Sequence, residues 1–235
     1  MDKKNLPKSI EKDSEEHAFQ LGVYYLSLRP RTEHEMSNYL AKKGYEDPII
    51  DKVIKKLSYY KYIDDEQFTI NYISRAIEAQ KKNAYAVKLE LTKKGIPQEI
   101  IENCIPIFSY DIDLKIAKKI CTEYFYQKSD LPYRQLKGRL YQLLARKGFT
   151  REIINDCLNY LEQDKNIQSI VASNKEQYLL QATKLAKEYS LKYGKKEDNP
   201  YLLQQKIKHA LYRKGYSMGV INLAIENISD HLFPS

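Results

Sequence analysis

The chain writes one six-residue phrase four times: LAKKGY at 40–45, LTKKGI at 91–96, LARKGF at 144–149 and LYRKGY at 211–216. The order of residue types has the form of a helix ending. With Gly44 just past the last turn, where left-handed backbone costs a glycine little, Leu40 and Tyr45 become the apolar pair that closes a Schellman turn. The same placement pairs Leu91 with Ile96, Leu144 with Phe149, and Leu211 with Tyr216. The basic pair in each phrase falls where cations favour a helix C-terminus, each worth roughly 0.3–1 kcal/mol. Four of the eight glycines lie in these phrases. Gly44, Gly95, Gly148 and Gly215 are therefore expected at positive φ immediately after a helix.

The pattern extends in both directions. Eight residues before each glycine stand Met36, Val87, Leu140 and Ile207, one further turn along a core face. After the phrase come helix starts at Asp47-Pro48, Pro97, Thr150 and Ser217. The stripe that follows also recurs: Ile49, Ile50, Val53, Ile54 and Leu57 in the first copy answer to Ile100, Ile101, Cys104, Ile105 and Phe108 in the second. These offsets describe one face of an α-helix. Thr32 with Glu35 reads as a capping box, and Asn83 takes the same place in the second copy. An amphipathic stretch precedes each pair, at 15–28, 64–79, 111–127 and 175–193. A period of this kind predicts an all-α chain, an elongated curved array of four tandem three-helix repeats. The expected layout is a polar, frayed tail at 1–14, repeats at 15–62, 63–109, 110–164 and 175–235, and a linker at 165–174 that lengthens the last join.

Composition narrows the setting. No apolar run approaches the roughly 20 residues of a membrane span, so a soluble, cytoplasmic protein is expected, without a membrane partner. The three cysteines lack C-x-x-C spacing, and Cys104 and Cys157 fill the place that Val53 and Ala224 hold in the other copies. They read as small, reduced core residues rather than as disulfide or zinc ligands. The net charge is +8, with the excess concentrated after residue 164. Such a balance suits either a polyanionic partner or simple solubility.

No residue set reads as catalytic, metal-binding or cofactor-binding. His17, His34, His209 and His231 are scattered without ligand spacing. Asp64 and Asp65 stand at a helix start, where carboxylates are stabilised, and read as a cap or as an acidic contact to a basic partner. Among 21 tyrosines, Tyr59, Tyr60 and Tyr62 cluster beside Lys55, Lys56 and Lys61, a pattern that fits either base stacking or the edge of a helical core. The basic faces of the last two repeats are more informative. Arg139 and Arg146 lie seven apart on one helix side, and Lys206, His209 and Arg213 form one stripe. With Lys147 and Lys214 of the phrases, and with Lys184, Lys187, Lys195 and Lys196 of the preceding helix and loop, these are the candidate contacts to phosphate or to an acidic groove.

A resemblance gives the pattern a family. Arg29-Pro30-Arg31-Thr32-x-x-Glu35-Met36, then Leu40-x-Lys42-Lys43-Gly44-Tyr45, then Tyr62-Ile63-Asp64-Asp65-x-x-Phe68 resembles the N-terminal signature of the RecX family. The phrases at 91–96 and 144–149 are similar to that family's later repeats, and the fourth copy to its longer members. Asn83-Ala84 stands where the family often has Gly-Pro. The resemblance implies tandem three-helix repeats that engage a RecA recombinase filament on single-stranded DNA and restrain its ATPase and strand exchange; with no catalytic residue set, a non-enzymatic regulator is expected, acting as a monomer. It also implies DNA binding by the chain itself, double-stranded DNA included. Two other readings stay open: a helical-repeat protein acting on DNA directly, and a plain protein–protein adaptor.

Overall fold

The computed structural model describes residues 14–229, and every regular element among them is helical. Two compact units divide the chain near Ile112. The first holds α1 (Glu15–Leu28), α2 (Glu33–Lys42), α3 (Asp47–Tyr59), α4 (Asp65–Ala79), α5 (Ala84–Lys93) and α6 (Gln98–Cys104). The second holds α7 (Tyr110–Gln127, whose first turn carries the boundary), α8 (Tyr133–Arg146), α9 (Arg151–Gln163), α10 (Lys165–Ser173), α11 (Lys175–Gly194), α12 (Pro200–Arg213) and α13 (Met218–Glu226). The four first helices, α1, α4, α7 and α11, lie where the amphipathic stretches place them. Of the expected N-terminal tail, residues 1–13 lie outside the described residues, while Ser14 caps α1 by accepting from the His17 N–H.

All four phrases end a helix as their residue order requires. Gly44, Gly95, Gly148 and Gly215 have φ of 93°, 77°, 84° and 94°. In the first copy Tyr45 N donates to Leu40 O at 3.3 Å and Gly44 N to Ala41 O at 3.0 Å, the two bonds of a Schellman turn. Phe149 repeats the first bond to Leu144 at 3.2 Å, and Tyr216 to Leu211 at 3.4 Å. The paired apolar residues are all buried, and each fully buried large side chain is worth about 1.5–3 kcal/mol. Val53, Cys104, Cys157 and Ala224 are buried too, so the shared position is a small core place in every copy.

Three local features depart from the expectations. The linker residues form α10: Asp164 accepts from the N–H groups of Asn166 and Ile167, both at 3.0 Å, and Ile167 is buried. The third helix of the second copy stops at Cys104 and tightens into a 3₁₀ turn at Ile105–Ile107, because Pro106 has no N–H to continue an α-helix. The Thr32–Glu35 capping box is half formed. Thr32 Oγ1 accepts from Glu35 N at 3.1 Å, but the Glu35 carboxylate turns to Arg29 and Lys94 instead.

Within the first unit, the glycine turn that ends α5 docks on the first turn of α2. Thr32 Oγ1 donates to Lys94 O at 2.7 Å, and Lys94 Nζ reaches Glu35 at 3.0 Å. A side chain on Gly95 would overlap the Cβ and Cγ of His34. The second unit repeats the device: a Cβ on Gly215 would lie 2.7 Å from both Cβ and N of Gln135, in the first turn of α8.

Candidate functional site

The docking of Gly215 on Gln135 sets α12 against α8 and gathers part of the predicted basic set. Arg139 of α8 and Arg213 of α12 line one concavity of about 420 Å³ with Arg134, Gln142 and Tyr212. Arg213 and Tyr212 also line a neighbouring concavity of about 450 Å³ with Lys206, His209 and Tyr193. Arg139 and Arg213 are exposed, and among the described residues neither has a carboxylate within ion-pair distance. Lys206 is held by Glu197 at 2.7 Å, so its charge is partly committed to the loop before α12. That contact and the Asn199 N–H hold the Glu197 carboxyl below its ordinary range.

The other predicted cations do not line these concavities. Arg146, Lys147 and Lys214 are exposed at the ends of α8 and α12, and Lys184 and Lys187 are exposed on α11. Lys195 and Lys196 follow α11 at the surface. The basic set is thus one gathered pair of arginines with Lys206 beside it, plus outlying charges.

Two members escaped the sequence reading. Arg134 lies with its guanidinium 3.8 Å from the centroid of the Tyr212 ring, a cation–π contact that joins α8 to α12. The signal was present in the phrase itself: the residue after leucine is Ala41, Thr92 and Ala145 in three copies but Tyr212 in the fourth. Gly138, in the middle of α8, also lines the first concavity, and no atom lies within 4 Å of where its Cβ would be. A glycine there costs the helix about 1 kcal/mol relative to alanine, and it keeps the space between Arg134 and Arg139 open.

Asp64 and Asp65 have separate roles. Asp64 caps α4, accepting from Gln67 N at 2.9 Å, and this bond with the Lys61 ammonium holds its carboxyl below the ordinary value. Asp65 is buried and accepts from Glu33 N, the first N–H of α2, at 3.0 Å. Burial, then the nearby Glu33, Asp64 and Glu35 carboxylates, pushes it up to about 6 despite that bond. Glu35 behaves oppositely: burial works to raise it, but the hydrogen bonds from Arg29 and Lys94 leave it lowered.

Residues 18–57 match the model of the RecX first three-helix domain, and residues 111–158 and 176–225 each match that of the RecX third three-helix domain. The chain is 32% identical over 230 residues to a regulatory protein RecX of Geobacillus sp. (strain WCH70), covering 98% of this chain and 81% of that protein. The chain belongs to the RecX family. A second RecX regulatory protein, from Streptococcus mutans, is 31% identical over 228 residues, with 95% and 84% of the two chains covered. The crystal structure of RecX from Lactobacillus salivarius shares the fold with a TM-score of 0.61, at 23% identity, over 64% of this chain and 97% of its own. Both α8–α9 and α12–α13 thus belong to RecX-type third domains, and the gathered arginines come from one helix of each. Among the described residues no helix is long and apolar enough to cross a membrane.

Proposed function

We propose that the chain is a non-enzymatic regulator that binds RecA recombinase filaments on single-stranded DNA and restrains their ATPase and strand exchange, with the α8–α12 concavities as a contact face. Membership of a family whose curated relatives are named regulatory proteins supports the first part. The observation that carries the second is the convergence of Arg139 and Arg213 around Tyr212 with no neutralising carboxylate among the described residues. Unpaired arginines at a concave surface suit phosphate or an acidic groove, because their planar fork donates two parallel hydrogen bonds to one oxyanion group.

The test is Arg139→Glu with Arg213→Glu. Arg139 is mid-helix, where an exposed charge change shifts stability by no more than about 0.5 kcal/mol, while Arg213→Glu also loses the favourable cation at the end of α12, roughly 0.3–1 kcal/mol, so the variant should melt slightly lower but stay folded. Inhibition of the DNA-dependent ATPase of RecA should fall sharply, and the salt dependence of binding to single-stranded DNA should flatten. Full inhibition by this variant at matched salt would refute the site. A second reading, direct action on DNA, is favoured by the exposed Tyr212 ring beside these cations. It predicts that inhibition disappears once all DNA is saturated with filament, whereas filament binding predicts that it persists.

A further inference from the structure

The end of α3 repeats the Schellman turn with a lysine where the other turns have glycine. Tyr62 N donates to Leu57 O at 2.9 Å and Lys61 N to Ser58 O at 3.0 Å, while Lys61 itself has φ of 59°. A lysine adopts left-handed backbone at a cost that glycine avoids. The turn places a cation between two exposed rings. Tyr59, Tyr60 and Tyr62 are 81%, 56% and 54% exposed, which is unusual for three neighbouring large side chains. Tyr59 meets Tyr60 edge-on at 5.3 Å, and Phe19 meets Tyr60 and Tyr62 edge-on at 6.4 and 6.3 Å. None of these pairs is stacked face to face, so ring faces remain for another planar group. Lys52 and Lys55 stand exposed two turns and one turn before Tyr59 on α3, and neither has an ion-pair partner among the described residues. Lys56 and Lys61 are held by Glu16 and Asp64.

We infer that Tyr59, Tyr60 and Tyr62 form a stacking platform for the bases of a single-stranded nucleic acid, with Lys52 and Lys55 on its phosphates. This deepens the single-stranded DNA part of the function proposed above and rests on it. Free cations beside the rings favour a nucleic acid over a protein surface, because every base offers a π-face and every linkage a charge.

A labelled oligothymidylate and an abasic polymer of equal length carry the same phosphates and differ in bases. The full chain should bind the oligothymidylate about tenfold or more tighter, the range expected for one or two stacked bases. Tyr59→Ala with Tyr60→Ala and Tyr62→Ala should abolish this preference, leaving abasic binding and its salt slope unchanged. If the triple variant melts lower, Tyr59→Ala alone carries the same readout. The platform is overturned if wild type binds both polymers equally or neither, or if the triple variant keeps the preference. It is also overturned if that variant loses RecA inhibition with base preference intact, which would make the patch a protein contact. Arg139→Glu with Arg213→Glu should lower binding to both polymers alike, so failure of the α8–α12 site is read separately.

Discussion

Gly44→Ala and Gly95→Ala separate two roles of one glycine turn. Both residues end a helix of the same unit at positive φ, 93° and 77°, so each alanine bears the left-handed backbone cost of about 1–2 kcal/mol. Their surroundings differ. A Cβ on Gly44 meets nothing within 4 Å, whereas one on Gly95 overlaps the Cβ and Cγ of His34 and comes within 2.6 Å of Cδ2. The overlap involves the root of the side chain as well as its ring, so a rotamer change relieves only part of it. Forced overpacking costs typically about 1–3 kcal/mol. Urea unfolding followed by circular dichroism should therefore give losses of about 1–2 kcal/mol for Gly44→Ala and about 2–5 kcal/mol for Gly95→Ala. His34→Ala removes two of the three crowded atoms, and should recover part of the loss in the Gly95→Ala background. Equal losses for the two alanines, with no coupling to His34, would refute the docking of α5 on α2.

Asp65→Asn should change the pH profile. The folded carboxyl titrates near 6, above its ordinary 3.8, so wild-type stability from this group is full below about pH 4 and declines as pH rises to about 6. The asparagine variant lacks this decline and should be more stable at pH 8, by up to roughly 3 kcal/mol; equal profiles would count against the buried charge. The Cys121 thiol is hydrogen-bonded to Cys157 and buried, which pushes its titration upward, and all three cysteines are buried free thiols, so a thiol reagent should label none of them until urea unfolds the chain. Ile167→Ala should cost about 2–5 kcal/mol if α10 is packed, and almost nothing if that segment is a loose join. Lys61→Gly should raise stability by up to about 1 kcal/mol by relieving its backbone, measured in the same urea series.

The helices were legible because their ends are local. A leucine, a basic pair, a glycine and an apolar residue close a Schellman turn in all four phrases of this chain, and Thr150 and Ser217 cap the helices that follow them. The α10 helix was missed although Ile167, Ile170 and Val171 have the spacing of a helix face. With no glycine phrase after it, the repeat period gave it no place. Pro106 was visible too, but the stripe was carried past it because Phe108 falls at the offset of Leu57, and that side chain is indeed buried although no α-helix carries it. Glu35 misled for a different reason. In a capping box it would reach back three residues to Thr32, whereas its carboxylate is held by Arg29 and by Lys94, the latter 59 residues away. The candidate site was legible as single stripes, but not as a site. Arg139 and Arg213 line one concavity where Gly215 sits on Gln135, a contact between helices that no period reveals.

The same docking device has opposite electrostatic outcomes in the two units, and the first turn of the receiving helix decides which. On α2 that turn carries Glu33 and Glu35, so the incoming Lys94 is neutralised and the turn becomes a closed network with Arg29 and Thr32. On α8 the first turn has no acidic residue, and Arg134 and Gln135 occupy it. The incoming phrase then brings Arg213 to a surface that already holds Arg134 and Arg139, where the neutral groups are the Tyr212 ring against Arg134 and the side chains of Gln135 and Gln142. Like charges gathered this way destabilise the bare protein slightly and are relieved when an anion binds. Loss of the acidic residues from one helix start therefore turns a structural joint into an open basic face, with the six-residue phrase itself scarcely altered.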